Sequence, residues 1–385
     1  VLFMKGVLYM RRLLSTVLAA VLCVMNVASI NAISYRDDDA NNNDSYLEGD
    51  INCDGDVDIV DLVYMQQFLN GSMYADGEKA ERLDLNQDYV INEYDKSRLS
   101  SIVMGVISQN TMDAVCTSNL PSQTDRQYKK YTISSASETT YTLYSLNEIP
   151  NRVIIGNDDR TPESGLAGVV KITNSNGSTG TGFVVDSHTI LTAAHVIYKR
   201  SNHSFSSSVT CDIYVNNTPL VVPINVTELH VPVSFTTDGI NDTASSIYDY
   251  AIITVSNDLS SFINFDLGIL RNNVSNFNND IYVTGFGGAS DPNNHPISTN
   301  LQNVKSTGMG NLLPSISGVW NNCIYYDVDI VGGDSGGPVY MINDDGSKTV
   351  IGINTAQHAS THLYNWGTRI TPDILHFVYN NSNLL

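Results

Sequence analysis

The chain has 385 residues, of which 42% are hydrophobic, so it is long enough for two or three domains with ordinary cores. Its 40 acidic and 20 basic residues give a net charge of −20, and so acidic a surface repels phosphate backbones and argues against a nucleic-acid partner. Five cysteines are too few for a disulfide scaffold, and their spacing does not reveal whether any of them pair.

Residues 1–32 are predicted to be an export signal. A basic start is followed by an apolar run from Leu13 to Met25 and by a small residue suited to cleavage, Ala32. The run is short for a bilayer span, although an N-terminal membrane anchor is the alternative. No later segment is long and apolar enough to cross a membrane, so the mature chain is expected to be secreted, with no membrane contact after the signal is removed.

Composition divides the rest of the chain into four segments. Residues 33–46 are polar and acidic, as in a linker, and residues 47–107 contain an internal repeat. Residues 108–152 are rich in serine and threonine and are predicted to be a linker or propeptide. From residue 153 to 385, short β-rich runs alternate with Gly, Asn, Asp and Ser turns, which favours an all-β sandwich or barrel.

The repeat consists of two acidic 12-residue loops that begin 34 positions apart, at Asp50 and Asp84. Calcium binds six to eight oxygens, and such a loop supplies them from alternating positions and closes with an acid. Gly55 stands at the sharp turn of the first loop, whereas Tyr89 takes that position in the second. Each loop runs into a segment with a helical apolar period. The predicted calcium ligands are Asp50, Asn52, Asp54, the Asp56 carbonyl, Asp58 and Asp61, and then Asp84, Asn86, Asp88, the Val90 carbonyl, Asn92 and Asp95.

The last ligand of each loop is Asp rather than Glu, and one helix flanks each loop, which departs from a paired EF-hand. The repeat resembles the dockerin module, in which two such units bind calcium and dock onto a cohesin domain of a scaffold protein. The resemblance implies two calcium ions, a cohesin partner on a cellulosome-like complex, and recognition residues at Ile59, Val60, Glu93 and Tyr94. The alternatives are a calcium staple without a partner and an acidic surface that happens to repeat.

Three short motifs in the β-rich segment carry the chemistry of a nucleophilic serine. They are TAAH ending at His195, DYAII beginning at Asp249, and GDSGGP with Ser335 at its centre. A serine hydroxyl is a weak nucleophile that needs a nearby base, and histidine is suited to that task near neutral pH. A buried carboxylate holds the imidazole in the right tautomer. The glycines let the amides of Gly333 and Ser335 point at a developing oxyanion.

Taken alone, a histidine after two alanines is more often a packed residue, and an aspartate before an apolar run is usually a turn residue. GDSGGP is far more specific, because it fits neither a strand nor a helix. The order His, Asp, Ser along 153–379 resembles the trypsin-like serine proteases, and within them the bacterial glutamyl endopeptidases. The resemblance implies an all-β fold of two six-stranded antiparallel barrels, preceded by the small α-helical module, and protein or peptide substrates. It implies no cofactor for catalysis.

The resemblance also implies a proenzyme that is cut after Arg152, so that Val153 becomes the new amino terminus. In that case the amine of Val153 would pair with Asp334 and order the oxyanion hole. Such a cut would separate the protease from its dockerin-like module unless the two parts stay associated.

Substrate preference depends on three residues of the expected specificity pocket. Asp329 lies where trypsin-like enzymes place the carboxylate that meets Lys or Arg. Asn354, beside Thr355, occupies the position at which glutamyl endopeptidases carry a histidine, and His358 or His362 could replace it. Both an acidic and a basic preference therefore stay open. The main alternative to an enzyme is a catalytically silent protease fold that acts as a binding module on the same scaffold.

Overall fold

The computed structural model describes residues 46–52, 54–73, 82–106, 111–112, 124–145, 160–216, 218–220, 223–237, 246–271, 277, 279–288, 304–313, 323–357 and 364–381. All of them belong to one compact unit, Asp44–Leu385. The predicted export signal and the expected new terminus at Val153 lie outside these residues. Within them, no helix is long and apolar enough to cross a membrane.

Two helices of equal length follow the two acidic loops. They are α1 (Ile59–Leu69) and α2 (Glu93–Val103), and each begins with a capping box in which side chain and main chain bond reciprocally. Asp58 and Asp61 form the box of α1, and Asn92 and Asp95 form that of α2. The polar residues that end each loop therefore also start its helix. The other helices of the described chain are α3 (Ala194–Ile197), α4 (Val233–Thr236) and α5 (Pro372–Asn381).

Strands account for most of the remaining regular structure. In chain order they are β1 (Tyr46–Leu47), β2 (Val90–Ile91), β3 (Thr111–Met112), β4 (Thr124–Thr132), β5 (Ser137–Ser145), β6 (Thr161–Pro162), β7 (Val169–Asn174), β8 (Thr179–Asp186), β9 (Thr189–Thr192), β10 (Tyr198–Lys199), β11 (Ser204–Phe205), β12 (Val209–Val215), β13 (Thr218–Pro219), β14 (Val226–Pro232), β15 (Ala251–Val255), β16 (Asp266–Leu267), β17 (Ile269–Leu270), β18 (Ile281–Gly285), β19 (Ser306–Gly310), β20 (Cys323–Tyr326), β21 (Pro338–Ile342), β22 (Lys348–Gln357) and β23 (Asn365–Arg369).

Two large sheets organise the strands that the structure describes. The first has nine strands in the order β13-β12-β7-β8-β9-β15-β14-β4-β5. The second has eight, in the order β20-β23-β22-β21-β18-β19-β6, with β16 paired in parallel to β22. The predicted all-β class with a small helical module is confirmed, while the division into two six-stranded barrels stays a prediction. Neither Cys211 nor Cys323 forms a disulfide, and both are buried.

The N-terminal module (the described residues from 46 to 106) packs directly on the β-rich domain (those from 160 to 381). Strand β2 pairs with β17, and Val90 lies in the same buried cluster as Leu270 and Ile281. The Asn92 amide donates to the hydroxyl of Thr349 over 3.1 Å. The second loop of the module therefore shares a core with the second sheet.

Tyr89 and Arg271 form the polar edge of this contact. Arg271 donates to the Asp84 carboxylate over 2.8 Å, and its guanidinium lies 5.2 Å from the centre of the Tyr89 ring. The same ring meets Phe277 edge-on. Tyr89 adopts φ +72°, in the left-handed region where the first loop has Gly55 at φ +91°. The strain of a non-glycine residue there is offset by the packing of its side chain on the β-rich domain.

Residues 124–145 form the linker hairpin, in which β4 pairs with β5 and also with β14 of the first sheet. Tyr128 on β4 is fully buried, stacks on Phe377 of α5 with ring centres 4.4 Å apart, and shares a 2.8 Å hydrogen bond with the Tyr250 hydroxyl. Part of the segment predicted to be a linker or propeptide thus extends the sheet of the β-rich domain.

We expect Tyr128→Ala to lower the free energy of unfolding by roughly 3–5 kcal/mol, because it removes a buried aromatic ring from a close-packed site. Denaturant unfolding measures this. The matched control is Tyr94→Ala, because Tyr94 is 41% exposed and its loss should change stability by less than about 0.5 kcal/mol. Equal effects of the two substitutions would mean that the hairpin is not part of the cooperative fold.

Candidate active site

The register of two central strands brings His195 and Asp249 together. Strand β9 ends at Thr192, which pairs with Ala251 at the start of antiparallel β15. His195 lies in the chain shortly after the end of β9, and Asp249 lies shortly before the start of β15. Both residues therefore lie at one edge of the first sheet. The two strands consist of apolar and β-branched residues and are buried along nearly their whole length. This burial fixes the positions of the strand ends beside His195 and Asp249.

The Asp249 carboxylate bonds the histidine at two atoms. Its Oδ2 lies 2.7 Å from Nδ1 of His195, and its Oδ1 accepts the main-chain N–H of His195 over 2.9 Å. The Asp249 side chain is 7% exposed, while that of His195 is 36% exposed. A buried carboxylate at Nδ1 favours the tautomer that protonates Nδ1 and leaves Nε2 as the base.

Ser335 lies in the loop between β20 and β21 of the second sheet, and it lines a cleft that His195 also lines. This cleft has a volume of about 410 Å³. Its lining combines residues from the chain around the first sheet with residues from loops of the second: Asn174, Ser178, Thr179, His195, Val196, Gly288, Gly332, Gly333 and Ser335. His195 and Ser335 therefore line the same cleft, and Asp249 bonds to His195.

Two glycines of the GDSGGP motif are required by the shape of this loop. Gly333 has φ +113°, and a side chain there would begin 2.3 Å from the Phe286 carbonyl oxygen. Gly336 has φ +84°, and its side chain would begin 2.1 Å from the Thr181 carbonyl oxygen. An L-residue at either position would meet both backbone strain and a main-chain clash. The loop can therefore pack this closely only with glycine at both positions.

The two predicted oxyanion donors belong to peptides whose carbonyl groups are already bonded. The Gly332 carbonyl accepts from the N–H of Gly288 over 2.6 Å, and the Asp334 carbonyl accepts from Gly337 over 3.0 Å and from the Asn354 amide over 2.9 Å. In a trans peptide the N–H points away from its carbonyl. The N–H groups of Gly333 and Ser335 are therefore directed away from these partners, and both residues line the cleft.

Thr181 on β8 bonds to the serine loop, which is the loop that carries the GDSGGP motif. This role of Thr181 was not predicted from the sequence. Its hydroxyl donates to the Gly333 carbonyl over 2.7 Å and accepts the N–H of Phe286 over 3.0 Å. Its main-chain N–H donates to the Ser335 carbonyl over 2.7 Å. The flanking glycines, Gly180 and Gly182, are the signal that could have indicated a close backbone approach at this point of the strand.

The carboxylate of Asp334, the residue before Ser335, forms a hydrogen bond and an ion pair. Its Oδ2 accepts the N–H of Val331 over 2.8 Å and lies 3.2 Å from Nη1 of Arg160. Both partners of this ion pair are buried. Val153, the expected partner of Asp334, lies outside the described residues.

The predicted specificity residues do not line this cleft, and the side chain of Asn354 is hydrogen-bonded inside the protein. Its side chain is fully buried, and its Oδ1 accepts from the Tyr326 hydroxyl over 2.7 Å while Nδ2 donates to the Asp334 carbonyl. Asp329 and Thr355 are also buried. His358 and His362 lie outside the described part of the chain. Asn354 therefore bonds to the loop that carries Ser335, and the assignment of Asp329, Asn354 and Thr355 to a specificity pocket stays a prediction.

The two acidic loops have the same hydrogen-bond pattern. Asp61 closes the first loop by accepting the N–H groups of Ile51 and Asp58, and Asp95 closes the second by accepting those of Leu85 and Asn92. The first ligand of each loop also accepts two turn N–H groups, at Asp54 and Gly55 for Asp50 and at Asp88 and Tyr89 for Asp84. The sequence repeat is thus a structural repeat.

The donor set of these loops fits calcium better than a softer ion. The predicted ligands of both loops are carboxylate, amide and main-chain oxygens, which are the kind of donor that calcium binds. Burial and neighbouring carboxylates raise the pKa of Asp88 to about 6 and that of Asp95 well above its usual range. A bound cation would favour the charged forms of both groups.

The predicted recognition residues lie at the first turns of the two helices. Ile59 begins α1 and is 46% exposed, with Val60 half-buried beside it. Tyr94 near the start of α2 is 41% exposed, and its neighbour Glu93 pairs with Lys96 at 2.5 Å. Both pairs are accessible to a partner.

Comparison with known proteins gives two family matches. The family model described as Trypsin matches residues 154–376, and the Dockerin type I domain model matches residues 48–103. The "Extracellular metalloprotease" of Bacillus subtilis is 25% identical over 293 residues, which are 71% of this chain and 85% of that protein. The "Glutamyl endopeptidase" of Bacillus licheniformis is 25% identical over 240 residues, 60% of this chain and 69% of that protein. A solved glutamyl endopeptidase structure in complex with MPD is 22% identical, with a TM-score of 0.46, over 60% of this chain and 98% of that one.

We expect Asp249→Asn to slow nucleophilic attack by the Ser335 hydroxyl by roughly 10⁴-fold, because the amide favours the wrong histidine tautomer. The rate of Ser335 labelling by a fluorophosphonate measures this effect. Asp258→Asn is the control, because that carboxyl group is fully exposed and bonds to Ser260 away from the cleft. A labelling rate for Asp249→Asn near that of the control would exclude Asp249 from the catalytic group.

Proposed function

The chain belongs to the trypsin family, and on that premise we propose that it is a secreted serine endopeptidase tethered to a scaffold by its dockerin-type module. One observation carries the proposal. The imidazole of His195 lies 2.7 Å from a buried carboxylate, and the same imidazole lines one cleft with Ser335. In domain terms, residues 1–32 would be the signal, 47–107 the module and 153–385 the protease.

In the proposed mechanism, the Ser335 hydroxyl attacks the scissile carbonyl and His195 Nε2 accepts its proton. Asp249 fixes the imidazole and stabilises its cation through Nδ1. The amides of Gly333 and Ser335 donate to the negative oxygen of the tetrahedral intermediate, which contributes about 3–4 kcal/mol per donor in such sites. His195 then returns the proton to the leaving amine, and water hydrolyses the acyl-enzyme by the same steps.

The loops of the module would hold two calcium ions through the carboxylates of Asp50, Asp61, Asp84 and Asp95 together with the other predicted loop oxygens. Calcium would supply the positive charge that lets these buried carboxylates stay ionised and the loops stay ordered. The exposed residues at the starts of α1 and α2 would then contact a cohesin domain. The dockerin match to residues 48–103 supports this assignment.

We expect Ser335→Ala to abolish hydrolysis of a peptide library and labelling by a fluorophosphonate, because the proposed base and oxyanion donors surround the Ser335 hydroxyl. Mass spectrometry of the cleaved peptides also reports the cleavage preference. Ser208→Ala, a change at an exposed serine, should leave both readouts unaltered. Absence of hydrolysis by the unaltered chain would favour a catalytically silent binding module.

We expect Asp61→Ala and Asp95→Ala each to remove one of two calcium-binding events in titration calorimetry of the full chain. Both substitutions should weaken capture by a panel of cohesin domains, and a chelator should abolish it. Asp345→Ala, at a fully exposed carboxylate, is the control. Cohesin capture that survives chelation would contradict a calcium-dependent tether, and calcium binding without any capture would indicate a structural staple.

A further inference from the structure

We propose that Arg160 supplies the positive charge that fixes Asp334, so that the oxyanion loop (Val331–Ser335) is ordered without a new amino terminus at Val153. Arg160 would then be a positioning residue for the reaction proposed above, on which this inference rests. Its consequence is that the uncut chain is already active and keeps its module.

The ion pair lies in the interior of the protein. The side chains of Arg160 and Asp334 are 2% and 3% exposed, and Nη1 lies 3.2 Å from Oδ2. A guanidinium remains protonated even when it is buried. The charged form of a buried carboxylate is destabilised unless a cation lies nearby. The burial of one therefore depends on the presence of the other.

Two glycines pack closely against the ion pair. A methyl group at Gly287 would lie 2.4 Å from Nη1 of Arg160 and 2.4 Å from a side-chain carbon of Val331. A methyl group at Gly285 would lie 2.6 Å from Oδ1 of Asp334. Gly285 and Gly287 therefore bring the main chain close against both partners of the ion pair.

The position of the Asp334 carboxylate determines the shape of the oxyanion loop. Its Oδ2 accepts the N–H of Val331, and the N–H of Asp334 donates back to the Val331 carbonyl over 3.0 Å. The next peptide carries the Ser335 N–H, one of the proposed oxyanion donors. Arg160 thus acts on the donors through Asp334 and touches neither the substrate nor the reacting atoms.

The same arrangement would let the protease be active without a cut after Arg152, so that it would not be separated from its N-terminal module. A protease that needs no cut at residues 152–153 remains covalently joined to the linker hairpin and to the N-terminal module. Both also pack on the β-rich domain, through the pairing of β4 with β14 and of β2 with β17.

The first test uses the full chain with Arg152→Gln, which blocks a cut after an arginine at that position. Mass spectrometry must show an intact 152–153 bond. We expect kcat and KM within about twofold of those of the unaltered chain after processing. An intact chain that is inactive, while the processed unaltered chain is active, would overturn the inference and leave the proposed function standing. Inactivity of both forms would overturn the proposed function, and the inference with it.

The second test compares Arg160→Gln, Arg160→Lys and the neutral pair Arg160→Gln with Asp334→Asn. We expect Arg160→Gln to lower kcat by roughly 10²–10³-fold with a much smaller change in KM, because the lost donors act mainly in the transition state. Arg160→Lys should recover part of kcat. Arg98→Gln, which breaks the Arg98–Glu48 pair of the module, is the control.

Circular dichroism identifies any variant that fails to fold, in which case Arg160→Lys and the uncut chain decide the outcome. A folded Arg160→Gln variant with the kcat of the unaltered chain would show that Asp334 is fixed by another charge. A rise in KM alone would also contradict a role in positioning the oxyanion donors.

Discussion

The antiparallel register of β9 and β15 is the constraint on which the rest of the site depends. Because Thr192 pairs with Ala251, the chain that leaves one strand and the chain that enters the other must lie at the same edge. The short hydrogen bonds between His195 and Asp249 follow from that register, not from contact along the sequence. A shift of one residue would turn every side chain of the strand to the other face and separate the two groups. The buried residues of both strands therefore position His195, the proposed base.

Ser335, the proposed nucleophile, lies in a loop of the other sheet, so the geometry of the proposed site depends on the contacts between the two sheets. Thr181 bonds to this loop from the first sheet with its hydroxyl and with its main chain, and Asn354 bonds to it from the second. These side chains satisfy main-chain groups of the serine loop that would otherwise be buried without partners. These bonds hold the loop in one arrangement, and preorganised donors of the kind proposed here act without reorganisation in the transition state.

Residues whose role depends on the neighbouring sequence could be predicted from the sequence. Residues whose role depends on contacts with distant parts of the chain could not. GDSGGP could be interpreted because its glycines require an unusual backbone, and Gly333 and Gly336 do adopt positive φ. Asn354 could not be interpreted in the same way. An amide in a pocket strand is compatible with a substrate contact, and its hydrogen bond with the buried Tyr326 hydroxyl depends on a residue 28 positions away in the chain. The acidic loops were found from their spacing, but the packing of Tyr89 on Arg271 depends on a partner 182 positions further along the chain.

The position of Tyr89 shows why the two acidic loops are not equivalent. The first loop turns at a glycine, and nothing lies within 4 Å of where a side chain of Gly55 would begin. The second turns at a tyrosine, whose ring packs between Arg271 and Phe277 of the β-rich domain. Arg271 also binds Asp84 and opposes the rise in the pKa of that carboxyl group that burial causes. The second loop is therefore stabilised by the β-rich domain as well as by its own hydrogen bonds, whereas the turn of the first loop remains open to solvent. The departure from glycine at this turn is a consequence of the contact between module and domain.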